Sequence, residues 1–346
     1  MMLLLFFVLL SILFLTNYFF IKKNILIDKS FNSHDSHKNF INLKNNKVPL
    51  SGGFFFLISL TFLIFSLDPI LYFLFSLIYF IGLLSDIHFL NSAKIRIIFQ
   101  SLIIFLLIFY TEVSIKNIRI PIFDYLLSYK LVSIMFTTFC ILVLINGSNF
   151  IDGVNTLLCG YILLVVLTIT YVSHQNYLSV DQIIFQYFFI TLVIFFIFNF
   201  LNKCFFGDSG AYLTSCFLGF NLLLFFLNNN KISPYFIAVL LWYPAFENLF
   251  SIIKRFYLKK KSYLPDNTHL HHKIFLFLSN MSFFKKNHLS TATGLLINFY
   301  NFLVFVVASQ DIFSTKFQFK IILFNIVFYL VIYYYLSKNI KRKKLI

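Results

Sequence analysis

Apolar runs of membrane-spanning length, one after another, are the feature of this 346-residue sequence that most constrains its fold. A helix needs about 20 mainly apolar residues to cross the hydrocarbon core. Such runs occupy, to within a few residues, 2–21, 51–67, 70–84, 95–111, 131–150, 155–173, 182–201, 211–227, 233–253, 291–309 and 318–337. Each is apolar on most of its faces, as lipid-facing and bundle-core helices must be. The expected fold class is therefore an all-α integral membrane protein of about eleven transmembrane helices, with residues 1–346 forming one polytopic membrane domain. A soluble fold is excluded by composition: 60% of residues are hydrophobic and only 12% charged, at a mean hydropathy of +0.87, too little charge to cover a water-facing surface.

The formal net charge of +16 does not point to nucleic acid, because Lys and Arg cluster between the apolar runs, as in membrane loops. One alternating set of loops holds 22 of the 28 Lys and Arg: residues 22–50, 85–96, the Lys203 turn, 254–290 and the tail from Lys338 to Lys344. The positive-inside rule makes this set cytoplasmic, with the N-terminus outside and the C-terminus inside. The first run has no basic segment before it, and the first Ala is Ala93, so no small-residue cleavage site follows. It reads as an uncleaved first span rather than a signal peptide. The four Cys (Cys140, Cys159, Cys204, Cys216) form no CxxC pair and read as core residues.

Charge alone, with no motif used, puts Asp86, Asp152 and Asp208 at cytoplasmic ends of the third, fifth and seventh runs. The His-containing stretch 269–272 lies on the same side. Around them are Gly82-Leu83-Leu84-Ser85-Asp86 with Ser92-Ala93-Lys94-Ile95-Arg96, and Asn146-Gly147-Ser148-Asn149-Phe150-Ile151-Asp152-Gly153-Val154-Asn155. Phe206-Gly207-Asp208-Ser209-Gly210 and Asp266-Asn267-Thr268-His269-Leu270-His271-His272 complete the set. Carboxylate and amide oxygens suit Mg²⁺, which takes one or two protein ligands plus substrate phosphates. Lys and Arg donors suit phosphate oxygens, and Gly beside each Asp allows close backbone approach. These are the parts of a phosphoryl-transfer site. Taken singly, each has a plainer reading: a helix-end Asp is a solvated cap, Lys94 and Arg96 snorkel, and the His stretch is a solvated turn. Glu247, near the end of the ninth run, reads as a helix–helix contact with no assigned role. The joint arrangement on one face outweighs these readings.

The ordered motifs resemble the polyprenyl-phosphate N-acetylhexosaminyl-1-phosphate transferases (glycosyltransferase family 4), relatives of the phospho-N-acetylmuramoyl-pentapeptide transferase. The likeness runs from Lys47-Val48-Pro49-Leu50-Ser51-Gly52-Gly53 through G-x-x-S-D, S-x-K-x-R, N-x-x-N-F-x-D-G and F-x-G-D-x-G to H-x-H-H. It implies an inner-membrane enzyme whose cytoplasmic active site joins a UDP-N-acetylhexosamine to polyprenyl (undecaprenyl) phosphate and releases UMP. Mg²⁺ would be the cofactor, with Mn²⁺ as the alternative ion, and a homodimer is one state the resemblance allows. By position, Asn149 and Asp208 match the family's metal ligands. Asp86 and Asp152 match the catalytic Asp positions. Lys47, Lys94, Arg96, His269, His271 and His272 match substrate-binding ones.

Two departures stand out. Ser85 replaces the first Asp of the family's usual pair, and Asn155-Thr156 replaces a common Asp-Gly. A phosphate monoester has a second pKa of about 6, so the lipid phosphate is mostly dianionic at neutral pH and needs little proton removal. Asp86 and Asp152 then act electrostatically, and a base role for either stays open. The alternatives are the pentapeptide transferase itself, ranked lower because of these departures, and a non-catalytic lipid-phosphate binder, which the same changes would suit. A transporter would place charge near the bilayer midplane, where these runs have almost none. A CDP-alcohol phosphotransferase would need D-G-x-x-A-R, which Asp152-Gly153 does not begin.

Overall fold

The computed structural model describes residues 2–28, 47–63, 68–257, 269–281 and 288–343. In chain order the helices are α1 (Met2–Lys23), α2 (Gly52–Thr61), α3 (Pro69–Asp86), α4 (Ala93–Thr111), α5 (Pro121–Leu127), α6 (Lys130–Ile151) and α7 (Leu157–Asn176). They continue as α8 (Gln182–Phe200), α9 (Gly207–Asn228), α10 (Pro234–Leu240), α11 (Trp242–Tyr257), α12 (Leu270–Ser279), α13 (Leu289–Ala308) and α14 (Thr315–Lys343). Local chemistry sets several starts. Asp68 caps α3 by accepting from the Ile70 amide at 2.7 Å, with Pro69 at the first helical position. Asp181 does the same for α8 from Ile184, and Ser233-Pro234 opens α10.

α9 is the axis of the bundle, buried on nearly all sides from Gly207 to Leu223. α3 packs along it most extensively, with α6 and α2 on its flanks; α7 lies between α8 and α13. α1, α4 and α14 turn large apolar side chains outward, among them Leu4, Phe14, Leu102, Phe324 and Val327. Such a surface suits lipid rather than water.

The helix termini sort into two ends. At one, Asp86 bonds the start of α9, the Asn155 amide donates to Ser290 Oγ at 2.9 Å, and Ser85 meets Arg96. At the other, the Arg119 guanidinium donates to the carbonyls of Lys231, Ile232 and Phe313 and to Thr315 Oγ1, all within 2.9 Å. Tyr110 there donates to Asp68 at 2.6 Å. The sites inferred from charge alternation thus share one end of the bundle.

Among the described residues nine helices are long and apolar enough to cross a membrane: α1, α3, α4, α6, α7, α8, α9, α13 and α14. They are ten if α10 and α11 count as one broken span, bent by 77°. The expectation of about eleven differs at two runs. Run 51–67 yields α2, only 10 residues and therefore about 15 Å long, half the hydrocarbon thickness. It is largely buried, and residues 64–67 lie outside the described set. Run 233–253 is unbroken in hydropathy, yet its backbone turns at Leu241. Pro244 explains the turn: its ring has no N–H to give the Leu240 carbonyl and would clash with that carbonyl in a continuous helix. The Leu240 carbonyl accepts instead from Tyr161 Oη at 2.9 Å.

Candidate active site

The site is built on the N-terminus of α9. Gly207 has φ +69°, a left-handed conformation that glycine adopts without cost. A Cβ there would also sit 2.8 Å from Asp86 Oδ2. That close approach lets the Asp86 carboxylate, at the last residue of α3, reach the first turn of α9. Oδ1 accepts from the Asp208 amide at 2.8 Å, and Oδ2 from the Ser209 amide at 3.0 Å and Ser209 Oγ at 2.6 Å. A carboxylate on an N-terminal turn satisfies otherwise unpaired amides and faces the positive end of the helix dipole.

Asp208 itself turns toward α4. Arg96 donates to Asp208 Oδ2 at 2.9 Å, with the two side chains 21% and 26% exposed. Ser85 Oγ donates to the same oxygen at 2.5 Å while accepting from Arg96. Ser85 therefore completes a closed Arg–Ser–Asp triangle where the resemblance led to an acid, and a hydroxyl avoids a second negative charge against Asp208.

A polar seam runs inward from this triangle. Residues four apart share a helix face, so Arg96 and Gln100 line α4, and Asp208 and Tyr212 line α9. Asn146 donates to Gln100 Oε1 at 3.1 Å, and Asn149 Nδ2 lies 3.3 Å from Tyr212 Oη. The structure thus brings Asn149 and Asp208 to one face of α9, about one helical turn apart. Gln100 and Tyr212 were not singled out from sequence, because each looks like an ordinary residue inside an apolar run.

Asp152 ends α6, half-buried, and Gly153 follows against the His stretch. A Cβ on Gly153 would meet His271 Nε2 at 2.6 Å and His272 Nε2 at 3.0 Å. Residues 152–153 and 269–272 are therefore neighbours although more than a hundred positions apart. His269 is 1% exposed, and His271 and His272 are fully buried, so the plain reading as a solvated turn fails. The His269 and His271 rings stack at 5.5 Å with planes 7° apart, and His271 and His272 lie 4.2 Å edge to face.

Behind them is Glu247, fully buried on α11. Its Oε1 pairs with His269 Nδ1 at 2.8 Å and accepts from the Leu270 amide at 3.2 Å, and its Oε2 accepts from Tyr329 Oη at 2.7 Å. Sequence reasoning left Glu247 without a role. The signal was present, since an ionisable residue inside an apolar run is costly unless it has a partner.

The second departure also has a structural account. Asn155 is 3% exposed, and its Nδ2 donates to Asn202. Thr156 holds φ +67° and gives its amide to Asn199 Oδ1 at 2.6 Å. Left-handed backbone is strained for a β-branched residue, so the Gly that the resemblance led to here would carry no such strain. Here the side-chain amides of Asn155, Asn199, Asn202 and Asn298 hold the turn: Asn298 donates to the Thr156 and Leu157 carbonyls.

Not every expected residue joins the cluster. Lys47 is exposed, with Nζ donating to Asn24 Oδ1 at 2.7 Å. Its segment does reach the α9 turn: the Phe205 amide donates to the Pro49 carbonyl, and the Gly52 amide donates to the Phe205 carbonyl, both at 3.0 Å. Lys94 is exposed at the start of α4, two residues from Arg96 and so on another face. Asp266, Asn267 and Thr268 lie outside the described residues.

Among the described residues no three His, Cys, Asp or Glu gather to hold a metal ion. The oxygen donors are few: the Asp208 carboxylate, whose two bonds both fall on Oδ2, and the Asn149 amide oxygen. That set fits Mg²⁺, which keeps several waters and leans on substrate phosphates, better than it fits a closed site of nitrogen or sulfur ligands.

Comparison with known proteins finds that the model of glycosyl transferase family 4 matches residues 69–226. An undecaprenyl-phosphate alpha-N-acetylglucosaminyl 1-phosphate transferase from Thermotoga maritima is 28% identical over 258 residues, covering 73% of this chain and 74% of that protein.

Proposed function

From the match to glycosyl transferase family 4 and the likeness to the Thermotoga maritima transferase, we propose that this chain is a member of that family and moves an N-acetylhexosamine 1-phosphate from a UDP-sugar onto polyprenyl phosphate. UMP is released, and the product begins a cell-surface glycan. The reaction takes place on the cytoplasmic face of the inner membrane, with the N-terminus outside and the C-terminus inside, as the asymmetry of Lys and Arg supports. The observation that carries the reading is the Arg96–Asp208 pair, with Asn149 one helical turn along α9 at Tyr212, at the same end of the bundle as the packing of His271 and His272 against Gly153, next to Asp152.

An oxygen of the lipid phosphate attacks the sugar-bearing phosphorus, and the bond to the bridging oxygen breaks, so the electron pair leaves with UMP. Such a transfer asks for positioning and charge neutralisation. Arg96 supplies a fixed guanidinium for phosphate oxygens. Asp208 and Asn149 would hold Mg²⁺, whose charge when bound offsets that of the pyrophosphate. Asp86 keeps the α9 turn, and with it Asp208, in place. His271 and His272 present ring nitrogens beside Asp152, where they bind phosphate or sugar. Lys47 and Lys94 remain exposed cations available to substrate as it enters.

The lipid tail needs an apolar groove leading away from this end. An apolar cavity of about 300 Å³ lies between α6, α9 and α10, lined by Leu144, Gly219 and Leu222 in mid-bundle and by Ile118, Phe226 and Pro234 toward the Arg119 end. Its nearest α6 residue, Leu144, lies eight positions before Asp152, about 12 Å along the helix.

The test is UMP release by purified protein given Mg²⁺, polyprenyl phosphate and a panel of UDP-N-acetylhexosamines, with and without EDTA. Metal-dependent release with one donor establishes the reaction and names the sugar. No release with any donor, from folded protein that still binds polyprenyl phosphate, replaces the transferase with a non-catalytic binder.

A further inference from the structure

A buried carboxylate inside a membrane helix needs a reason, and Glu247 has one. It is fully buried on α11, and each of its oxygens is engaged: Oε2 by Tyr329 Oη from α14, Oε1 by the Leu270 amide and by His269 Nδ1. An ionised carboxylate only accepts hydrogen bonds. Taken as a carboxylate that already accepts from two donors, it receives His269 Nδ1 as a third donor, and Ser251 Oγ, 3.2 Å from the same nitrogen, is placed to accept a share of that N–H. The ring is thereby held as the Nδ1–H tautomer, with Nε2 on the side turned away from Glu247.

The consequence extends past one ring. His269 is the N-cap of α12, and His271 and His272 lie in that helix's first turn. By accepting from the Leu270 amide, Glu247 also anchors the start of that helix to α11. The His269 ring lies 7° from parallel with His271, whose Nε2 reaches the Gly153 backbone beside Asp152. Tyr329, Glu247, His269 and His271 thus form a continuous line from the lipid-facing helix α14 to the central motif.

We propose that Glu247, backed by Tyr329, is a positioning residue for sugar-phosphate transfer, fixing the tautomer of His269 and, through it, the ring planes packed against Gly153, next to Asp152. The proposal rests on the transferase reading above and adds a residue that touches no substrate. Carboxylates behind metal-ligating histidines set tautomer and ring orientation in this way, and their loss typically costs about 10- to 100-fold in affinity or activity, the scale adopted for Glu247.

Two measurements test it. The first is kcat and KM for UMP release by wild-type, Glu247→Gln, Glu247→Asp and Tyr329→Phe full-length protein, with the thermal midpoint of each. The expected result for Glu247→Gln is a kcat lower by about 10- to 100-fold. Its KM stays within about twofold, Glu247→Asp restores part of the loss, and Tyr329→Phe loses less. Wild-type kcat in Glu247→Gln, or a fall in thermal midpoint with kcat retained, overturns the proposal and leaves Glu247 a packing anchor. The second is the ¹⁵N spectrum of histidine-labelled wild-type protein, with the His269 signal identified by its absence from His269→Asn. The Nδ1–H tautomer is expected, and the Nε2–H tautomer overturns the proposal even if no Glu247 variant folds. Wild-type protein that shows the Nδ1–H tautomer but releases no UMP with any donor refutes the transferase reading instead, so the two failures are distinguishable.

Discussion

Replacing Asp86 with Asn separates positioning from chemistry at this site. Asp86 accepts three hydrogen bonds from the first turn of α9, at 2.8, 3.0 and 2.6 Å. In the Asp86→Asn variant one carboxylate oxygen becomes an NH₂ group, and with the remaining oxygen kept toward the Asp208 amide, the Ser209 amide faces a donor. Ser209 Oγ can rotate to accept, so one buried backbone N–H is left unsatisfied, a loss of about 1–3 kcal/mol. Removing the charge from the helix N-terminus costs about 0.3–1 kcal/mol more. The sum is about 1–4 kcal/mol, or roughly 3–8 °C in thermal midpoint at about 2 °C per kcal/mol for a chain this long. The assay is thermal unfolding in detergent, followed by Trp242 fluorescence, alongside UMP release. Turnover should fall together with stability, because the same displacement moves Asp208 away from Arg96. An Asp86→Asn protein without turnover at an unchanged midpoint would refute this reasoning and make Asp86 a group that works on substrate.

Asp208→Asn should abolish metal-dependent UMP release while the midpoint moves by no more than about 2 °C, since the exposed part of the Arg96 pair is screened by water; retained release removes Asp208 from the proposed metal site. Gly153→Ala should lower kcat at least about tenfold and cost about 1–3 kcal/mol, because its Cβ would lie 2.6 Å from His271 Nε2 and the three rings behind it leave little room to yield; full activity would separate the His cluster from the central motif. At the far end, Tyr110 Oη and then the Ile70 amide hold the Asp68 carboxyl below its ordinary value of 3.8. A carboxyl lowered in the folded state stabilises above the unfolded pKa and loses that contribution as pH falls through the folded value. The midpoint difference between wild type and Asp68→Asn should therefore be constant from about pH 7 to about 5 and shrink below about 4; a difference that grows on acidification contradicts the pairing.

Hydropathy and charge, summed along the chain, are one-dimensional quantities, and they determined what one-dimensional quantities can. Long apolar runs separated by basic loops require helices in lipid, because an unpaired backbone group cannot be left in hydrocarbon. Strict alternation of those runs then brings Asp86, Asp152, Asp208 and the His stretch to one end. Spacing within a motif also carried information, since Asn146 and Asn149, or Lys94 and Arg96, lie close whatever the fold.

Tertiary structure alone decided which of these residues meet, and through which atoms. Asp86 and Asp208 are 122 positions apart, and only the packing of α3 on α9 turns Asp86 into the cap of another helix. Arg96 and Lys94 are equivalent by composition, yet helical rotation aims one at Asp208 and the other at the surface. Glu247 looked incidental because its partners, His269 and Tyr329, come from the start of α12 and from α14. The break at Leu241 was invisible to a hydropathy sum, which does not register that Pro244 lacks an N–H. Apolar burial is non-directional and survives averaging along the sequence, whereas hydrogen bonds and ring contacts act over about 3–4 Å in fixed directions and exist only once the helices have docked.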